Sequence, residues 1–187
     1  SKELKKGLII PSRTLMELAR TMGETDQEKN LGLSITPEAN QVIFSSPETE
    51  IVSRLIEGKY PDYEKIIPDK SKTSLLMEVA ELTRAVKIAA IFAREAANVV
   101  RFKIEKKGIE ITANTAQVGR NIARIEAKVK GTSGQVAFNS RYLLDLLAVA
   151  EGEEIGLEMS GALNPGIFSF KKDPAYHHII MPVRIQE

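Results

Sequence analysis

The sequence predicts an α+β protein made of repeated helix-plus-antiparallel-sheet modules, with the helices on one face of the sheets. Three observations carry that prediction. Residues 7–19 (GLIIPSRTLMELA) and 135–147 (QVAFNSRYLLDLL) align without a gap at a constant offset of 128, pairing Ser12 with Ser140, Arg13 with Arg141, Leu15 with Leu143 and Leu18 with Leu146. Each copy reads as a short apolar strand, a turn or cap pair (Pro11-Ser12, Asn139-Ser140) and an amphipathic helix. Each is followed by three strand-like runs: LGLSIT, NQVIFSS and TEIVSRLI after the first, EIGLEMS, GIFSFKK and HHIIMPVRI after the second. A unit that recurs in this way is one architectural piece used more than once.

In the first copy, the strand at residues 7–10 is ended by Pro11, which cannot donate to a ladder. A helix over residues 13–22 should turn Leu15, Leu18, Ala19 and Met22 inward and Arg13, Glu17 and Arg20 outward, with Gly23 stopping it. A polar loop, residues 24–30, leads to a hairpin turning over residues 37–40 and to a third strand ending near Leu55. One helix and four strands make half a module, and leave an open sheet edge.

Residues 56–68, IEGKYPDYEKIIP, should run extended over a surface, because Pro61 and Pro68 each disfavour helix at the preceding residue. The segment reads as an interdomain linker, and its Tyr60, Tyr63, Ile66 and Ile67 suit packing in a domain seam. A complete module follows. SLLMEV is a strand leading into a helix over residues 81–97, with Leu82, Ala85, Val86 and Ala89 inward and Arg84, Lys87 and Ile91 on another face. VVRFKIEKK and IEITAN form a hairpin in which Gly108 supplies a permissive backbone. Residues 120–130 alternate charged and apolar, as a strand with one wet face does. The GTSG turn then opens the second copy of the strand-cap-helix unit, so this module is a two-fold pseudo-repeat within itself.

Composition narrows the function classes. The chain has 187 residues, 43% of them hydrophobic, enough for one good core or two small ones. It contains no cysteine, which removes disulfides and cysteine-based zinc sites and fits a reducing cytoplasm. No long uncharged apolar run or signal-like segment is present, so a soluble, cytoplasmic protein without membrane partners is expected. A formal net charge of +1 argues against gripping nucleic acid through bulk positive charge, yet leaves room for a basic face.

The linker KYPDYEKIIP, the run FNSRYLLDLL and the tail IIMPVRI together resemble the bacterial beta sliding clamp family, the beta subunit of the replicative DNA polymerase. The resemblance extends over nearly the whole chain. It implies the DNA-clamp fold, three like domains per chain, and two chains closed head to tail into a ring around duplex DNA. Residues 1–67 would be the C-terminal half of the second domain with its linker, and residues 68–187 the third domain. Residue 1 then falls inside the second domain, and the first domain has no counterpart in this sequence.

What the resemblance implies for function is a processivity factor: a non-catalytic accessory subunit, with no cofactor or metal, that holds polymerase, clamp loader and repair proteins on double-stranded DNA. Its peptide-binding pocket, which takes short linear motifs, would use Pro61, Lys65 and Ile66 of the linker, Asn139 and Tyr142 of the repeated unit, and Ile179, Met181, Pro182, Val183, Arg184 and Ile185 of the tail, bordered by Pro165. An apolar, adaptable floor with methionine as gap filler and a few orienting polar groups suits that task. Lys65 stands where the family often has arginine, keeping the charge without the planar fork. Arg13 and Arg20 would look towards DNA, with Arg84, Lys87 and Arg141 as further candidates. On charge alone those positions read as a solvated helix face; only the resemblance turns them towards DNA. Ile91 and Phe92 would meet the first domain of a second protomer. Without a first domain no head-to-tail ring can close, and a monomer or a non-native contact is expected.

Enzymatic readings find little support. His177 and His178 are adjacent, and in a strand they point to opposite faces, which does not suit one metal. GTSGQ lacks the lysine and following helix of a phosphate-binding loop. Glu153-Glu154 sits beside a turn as a solvated tip. Two rival readings are a small-molecule-binding α+β domain and a stand-alone peptide-binding adaptor that kept the pocket and lost the ring.

Overall fold

The computed structural model describes residues 7–22, 31–68, 70–115 and 119–184. The chain divides into two compact units, residues 1–62 and 63–187. In the first, helix α1 (Ser12–Met22) precedes a three-stranded antiparallel sheet of β1 (Gly32–Ile35), β2 (Gln41–Ser45) and β3 (Glu50–Arg54). Period-two alternation on β2 sends Val42 and Phe44 inward, and they alone are fully buried among this unit's described residues. The helix buries none of its residues: Leu18 and Met22 are half-buried, while Leu15, expected inward, is 44% exposed.

The expected strand at residues 7–10 does not form. The Ile56 N–H bond to the Ile9 carbonyl, at 2.9 Å, ties this stretch to the end of the sheet, and one such bond is too little for a ladder. Gly23 and the polar loop 24–30 lie outside the described residues.

The second unit holds two copies of one pattern. A strand, β4 (Thr73–Glu78), runs into helix α2 (Val79–Ala93) and is followed by β5 (Val99–Glu105), β6 (Gly108–Thr115) and β7 (Gly119–Gly131). Then β8 (Gly134–Asn139) runs into α3 (Ser140–Ala148), followed by β9 (Glu154–Met159), β10 (Gly166–Phe170) and β11 (His177–Ile180). All eight strands make one antiparallel sheet in the order β11-β10-β9-β4-β7-β6-β5-β8. Both helices share a face: α2 packs on β5, β6 and β7 and against α3. The predicted inward residues Leu82, Ala85, Val86 and Ala89 are all buried there. Beneath them Phe138 makes edge-on contacts with Phe102 and Phe168, at ring-centroid distances of 5.6 and 5.8 Å.

Two details depart from expectation. Helix α2 ends at Ala93 rather than near residue 97, because Ala97 and Asn98 take left-handed backbone angles (φ 53° and 57°) and the Asn98 N–H closes on the Ala93 carbonyl. Gly108 is not needed for a positive φ; a Cβ there would run into the carbonyl oxygen of Ile125 on β7, so the glycine permits close strand approach.

The two copies differ at one seam. Strand β7 is long enough to pair with β6 through its first part and with β4 through residues Ala127 to Gly131. By the internal two-fold, the chain after β11 should pair with β8 in the same way. The ladder of β11 stops at Ile180 instead, and among the described residues one backbone bond, Val183 N–H to the Ala137 carbonyl at 2.8 Å, joins the following stretch to β8. Pro182, which has no N–H, sits within that stretch.

Candidate functional site

The open seam between β8 and the tail brings together several residues singled out above. Asn139 is the N-cap of α3; its Oδ1 accepts from the Arg141 backbone N–H at 2.9 Å, and this fixes the start of the helix that carries Tyr142. Ser140 is 1% exposed, with its N–H bonded to the Asn98 carbonyl at 2.8 Å, so the strand-to-helix corner is rigid. Tyr142 stands out from that corner, 56% exposed, and Met181 is 59% exposed on the tail. Pro182 and Val183 are half-buried, and Val183 is the residue hydrogen-bonded to Ala137.

Gly166 on β10 pairs with Ile180, and carrying that register one step sets Pro165 opposite Met181. Pro165 is buried, so it backs this end of the seam from below rather than offering a surface. Ile179 is half-buried and pairs with Ile167. Exposed apolar groups beside unladdered backbone, on a rigid corner, make a surface that can take up an extended peptide.

The remaining pocket candidates are on other segments of the chain. Pro61, in the first unit, is exposed. Lys65 ends a short 3-10 turn, Tyr63–Lys65, and Ile66 follows it, 39% exposed, with its N–H on the Tyr63 carbonyl. Ile185 lies outside the described residues. Arg184 lines a cleft of about 210 Å³ with Ala96, Val99, Arg101, Thr112, Ala113 and Asn114. The residues of that cleft other than Arg184 carry no motif; strand alternation could have marked Arg101 as outward, but not which neighbours it would meet.

All five basic candidates for DNA are on helices and exposed: Arg13 and Arg20 on α1, Arg84 and Lys87 on α2, Arg141 on α3. Arg20 is paired with Glu17 one turn earlier, at 2.6 Å. On α2, Ile91 is 67% exposed and Ile88 42%, whereas Phe92 is half-buried and packs on the core. The exposed apolar pair is therefore Ile88 and Ile91 rather than the expected Ile91 and Phe92, because Phe92 packs on the core.

His177 is exposed and His178 half-buried, on opposite faces of β11. The His178 Nδ1 lies 3.0 Å from the Tyr176 hydroxyl, whose ring stacks on Phe170. Burial pushes the His178 pKa below its ordinary value, and the charge of Asp145 on α3 opposes that shift. Among the described residues no three His, Cys, Asp or Glu side chains are grouped so as to hold a metal ion, and no helix is long and apolar enough to cross a membrane.

A larger open groove, about 750 Å³, lies at the junction of β4 and α2. Its lining is acidic, with Glu78, Glu81, Glu126, Glu153 and Glu154 against Lys107 and Lys128. It exposes no aromatic or methionine anchor of the Tyr142 and Met181 kind, and is the less suitable peptide site of the two.

Comparison with known proteins is specific. Residues 64–184 match the family described as DNA polymerase III beta subunit, C-terminal domain, and residues 1–62 match the central domain of the same subunit. Over 180 residues the chain is 31% identical to the beta sliding clamp of Bacillus subtilis, covering 95% of this chain and 47% of that protein. It is 29% identical over 181 residues to the beta sliding clamp of Staphylococcus aureus. The crystal structure of the B. subtilis sliding clamp superposes with a TM-score of 0.77 at 31% identity, over 96% of this chain and 47% of that one. The C. crescentus beta sliding clamp, at 24% identity, shares the fold with a TM-score of 0.80 over 99% of this chain. The chain thus spans about half the length of the curated relatives it matches.

Proposed function

This chain belongs to the DNA polymerase III beta subunit family, and from that premise we propose that it acts as part of a sliding clamp, the processivity factor that keeps a polymerase on duplex DNA. What supports the reading most is that the two units match, in chain order, the central and C-terminal domains of one subunit. On this reading residues 1–67 are the C-terminal half of the second domain with its linker, and residues 68–187 are the third. The protein works in the cytoplasm without catalysis: no bond is made or broken, and the function is mechanical tethering.

Two surfaces do that work. Arg13, Arg20, Arg84, Lys87 and Arg141 supply positive charge from helices to the phosphate backbone without reading sequence, as a ring that slides requires. Arg20 contributes least, since Glu17 neutralises it. The second surface is the seam of β8 and the tail, with Asn139, Tyr142, Met181, Pro182 and Val183; the resemblance adds Lys65 and Ile66 of the same unit. It takes a short linear motif from polymerase, clamp loader or repair proteins. Burying a leucine and a phenylalanine of such a motif against Met181 and Tyr142 supplies affinity, while the unladdered tail backbone supplies orientation. Ile91, with Ile88 beside it, meets a second protomer when a first domain is present to receive it.

The test is binding of a fluorescent pentapeptide of the Gln-Leu-x-Leu-Phe type to this chain and to Met181→Ala and Tyr142→Ala. Saturable binding, weakened about tenfold by either substitution, is the expected result. Binding unaffected by both substitutions, in samples with unchanged circular dichroism, would remove the seam from the proposal.

A further inference from the structure

The cleft lined by Arg184 of the tail motif also has Arg101, which belongs to none of the motifs above, in its lining. Arg101 on β5 points away from the core, since its neighbours Val100 and Phe102 are both fully buried. Its cross-strand partners are Thr112 on β6 and Ala137 on β8, so these residues share the outer face of the sheet. Ala137 is the residue that accepts the Val183 N–H, which brings Arg184 to this face as well. Thr112 and Asn114 complete the polar lining, and among the described residues no acidic side chain takes part. Neither Arg101 nor Arg184 forms an ion pair with another described residue. Two cations lining one concavity, with no counter-charge among the described residues, leave it poised for an anion.

The cleft is continuous with the seam at two points. Arg101 pairs with Ala137, which holds the tail, and Val99, also in the lining, pairs with Asn139, which caps α3. A peptide lying along residues 181–184 therefore has its flank, not its anchors, over the cleft. We propose that Arg101 and Arg184 form a carboxylate-binding subsite that recognises an Asp or Glu flanking the docked motif. Charge complementarity selects this occupant: the cleft is cationic, small enough for one side chain, and opens from the peptide groove. A DNA phosphate is disfavoured, because the helices that carry Arg84, Lys87 and Arg141 pack on the other face of this sheet from Arg101. The inference rests on the peptide-docking reading of the seam.

The test compares three fluorescent peptides at 150 mM salt (about one Debye length of 8 Å): the pentapeptide alone, and the same peptide extended on both sides with Asp-Asp or with Asn-Asn. The Asp-flanked form is expected to bind about fivefold tighter than the Asn-flanked form, the size of a partly exposed charge-assisted contact. Arg101→Gln should abolish that preference and leave the Asn-flanked affinity unchanged. Lys103→Gln, which removes the same charge two residues along the same exposed face but outside the cleft, should keep it. Equal binding of the two flanked peptides to the parent chain, or a preference that survives Arg101→Gln, overturns the subsite while leaving the seam standing. Failure of all three peptides to bind overturns the docking reading and the subsite together. If Arg101→Gln instead weakens binding of a duplex oligonucleotide and not of the Asp-flanked peptide, the arginine pair serves nucleic acid and the proposal is wrong.

Discussion

The second unit contains the same junction twice, and the two versions are closed and capped differently. At the first, β4 runs into α2 and is closed on its flank by β7 through five paired residues, Thr73 to Met77 against Gly131 to Ala127. At the second, β8 runs into α3, the ladder of β11 stops at Ile180, and among the described residues one backbone bond, Val183 N–H to the Ala137 carbonyl, joins the following stretch to β8. The caps differ as well. Glu78, at the start of α2, makes no side-chain capping bond, whereas Asn139 caps α3. Three residues beyond each cap stand Glu81 and Tyr142 respectively. One junction thus has a full ladder and an acidic lining, the other a short ladder and an exposed tyrosine. On the function proposed above, a symmetric fold gains a single peptide site by shortening the ladder at one of its two equivalent seams.

The largest effect is expected at the sealed seam. Gly131 has φ 98° at the end of the β4–β7 ladder, and a side chain there would collide with the Lys72 backbone. Gly131→Val should cost about 3 kcal/mol of stability in urea unfolding, through a left-handed β-branched residue and the displaced ladder. Nothing comparable should follow from Val183→Ala at the open seam, where about 1 kcal/mol is the ceiling for a half-buried side chain.

Next comes the swap between junctions. Tyr142→Glu gives the open corner the residue type of the sealed one, and should lower affinity for the motif peptide by about thirtyfold, the cost of losing an interface anchor, with stability nearly unchanged because the side chain is exposed. The caps offer a smaller contrast. Asn139→Ala should lower stability by about 1 kcal/mol, and Glu78→Ala by no more than about 0.3 kcal/mol, since only the first removes a capping bond.

The smallest effect is in pH. The pKa of His178 is held below its ordinary 6.5 in the folded state. The unfolded chain therefore takes up the proton first as pH falls, and the stability tied to neutral His178 is complete above 6.5 and is lost progressively below it. Thermal melts between pH 7 and pH 5 should show this loss in the parent chain and a shallower one in His178→Asn.

Much of this was legible in the sequence, for physical reasons that also mark where it stopped. The α2 face Leu82, Ala85, Val86 and Ala89 follows from helical period, and the wet and dry faces of β7 from period two. The strand at residues 7–10 was misjudged because an apolar run signals burial, not the presence of a partner strand. HHIIMPVRI reads as one strand throughout, yet pairing ends at Ile180; hydrophobicity does not reveal where a ladder lets go. Gly108 was given the right position and the wrong reason, since its role depends on β7, which arrives later in the chain. Arg101 was invisible as a site residue because its meaning comes from a register across three strands and from the tail.

The most direct test of the contrast between seams is hydrogen exchange, with and without the motif peptide. Without peptide, residues 181–184 should exchange much faster than residues 127–131 on the sealed seam. Saturating peptide should slow exchange in residues 181–184 and around Tyr142 while leaving residues 127–131 unchanged. Equal protection of the two seams in the free protein, or protection by the peptide at the β4–α2 groove instead, would contradict the account.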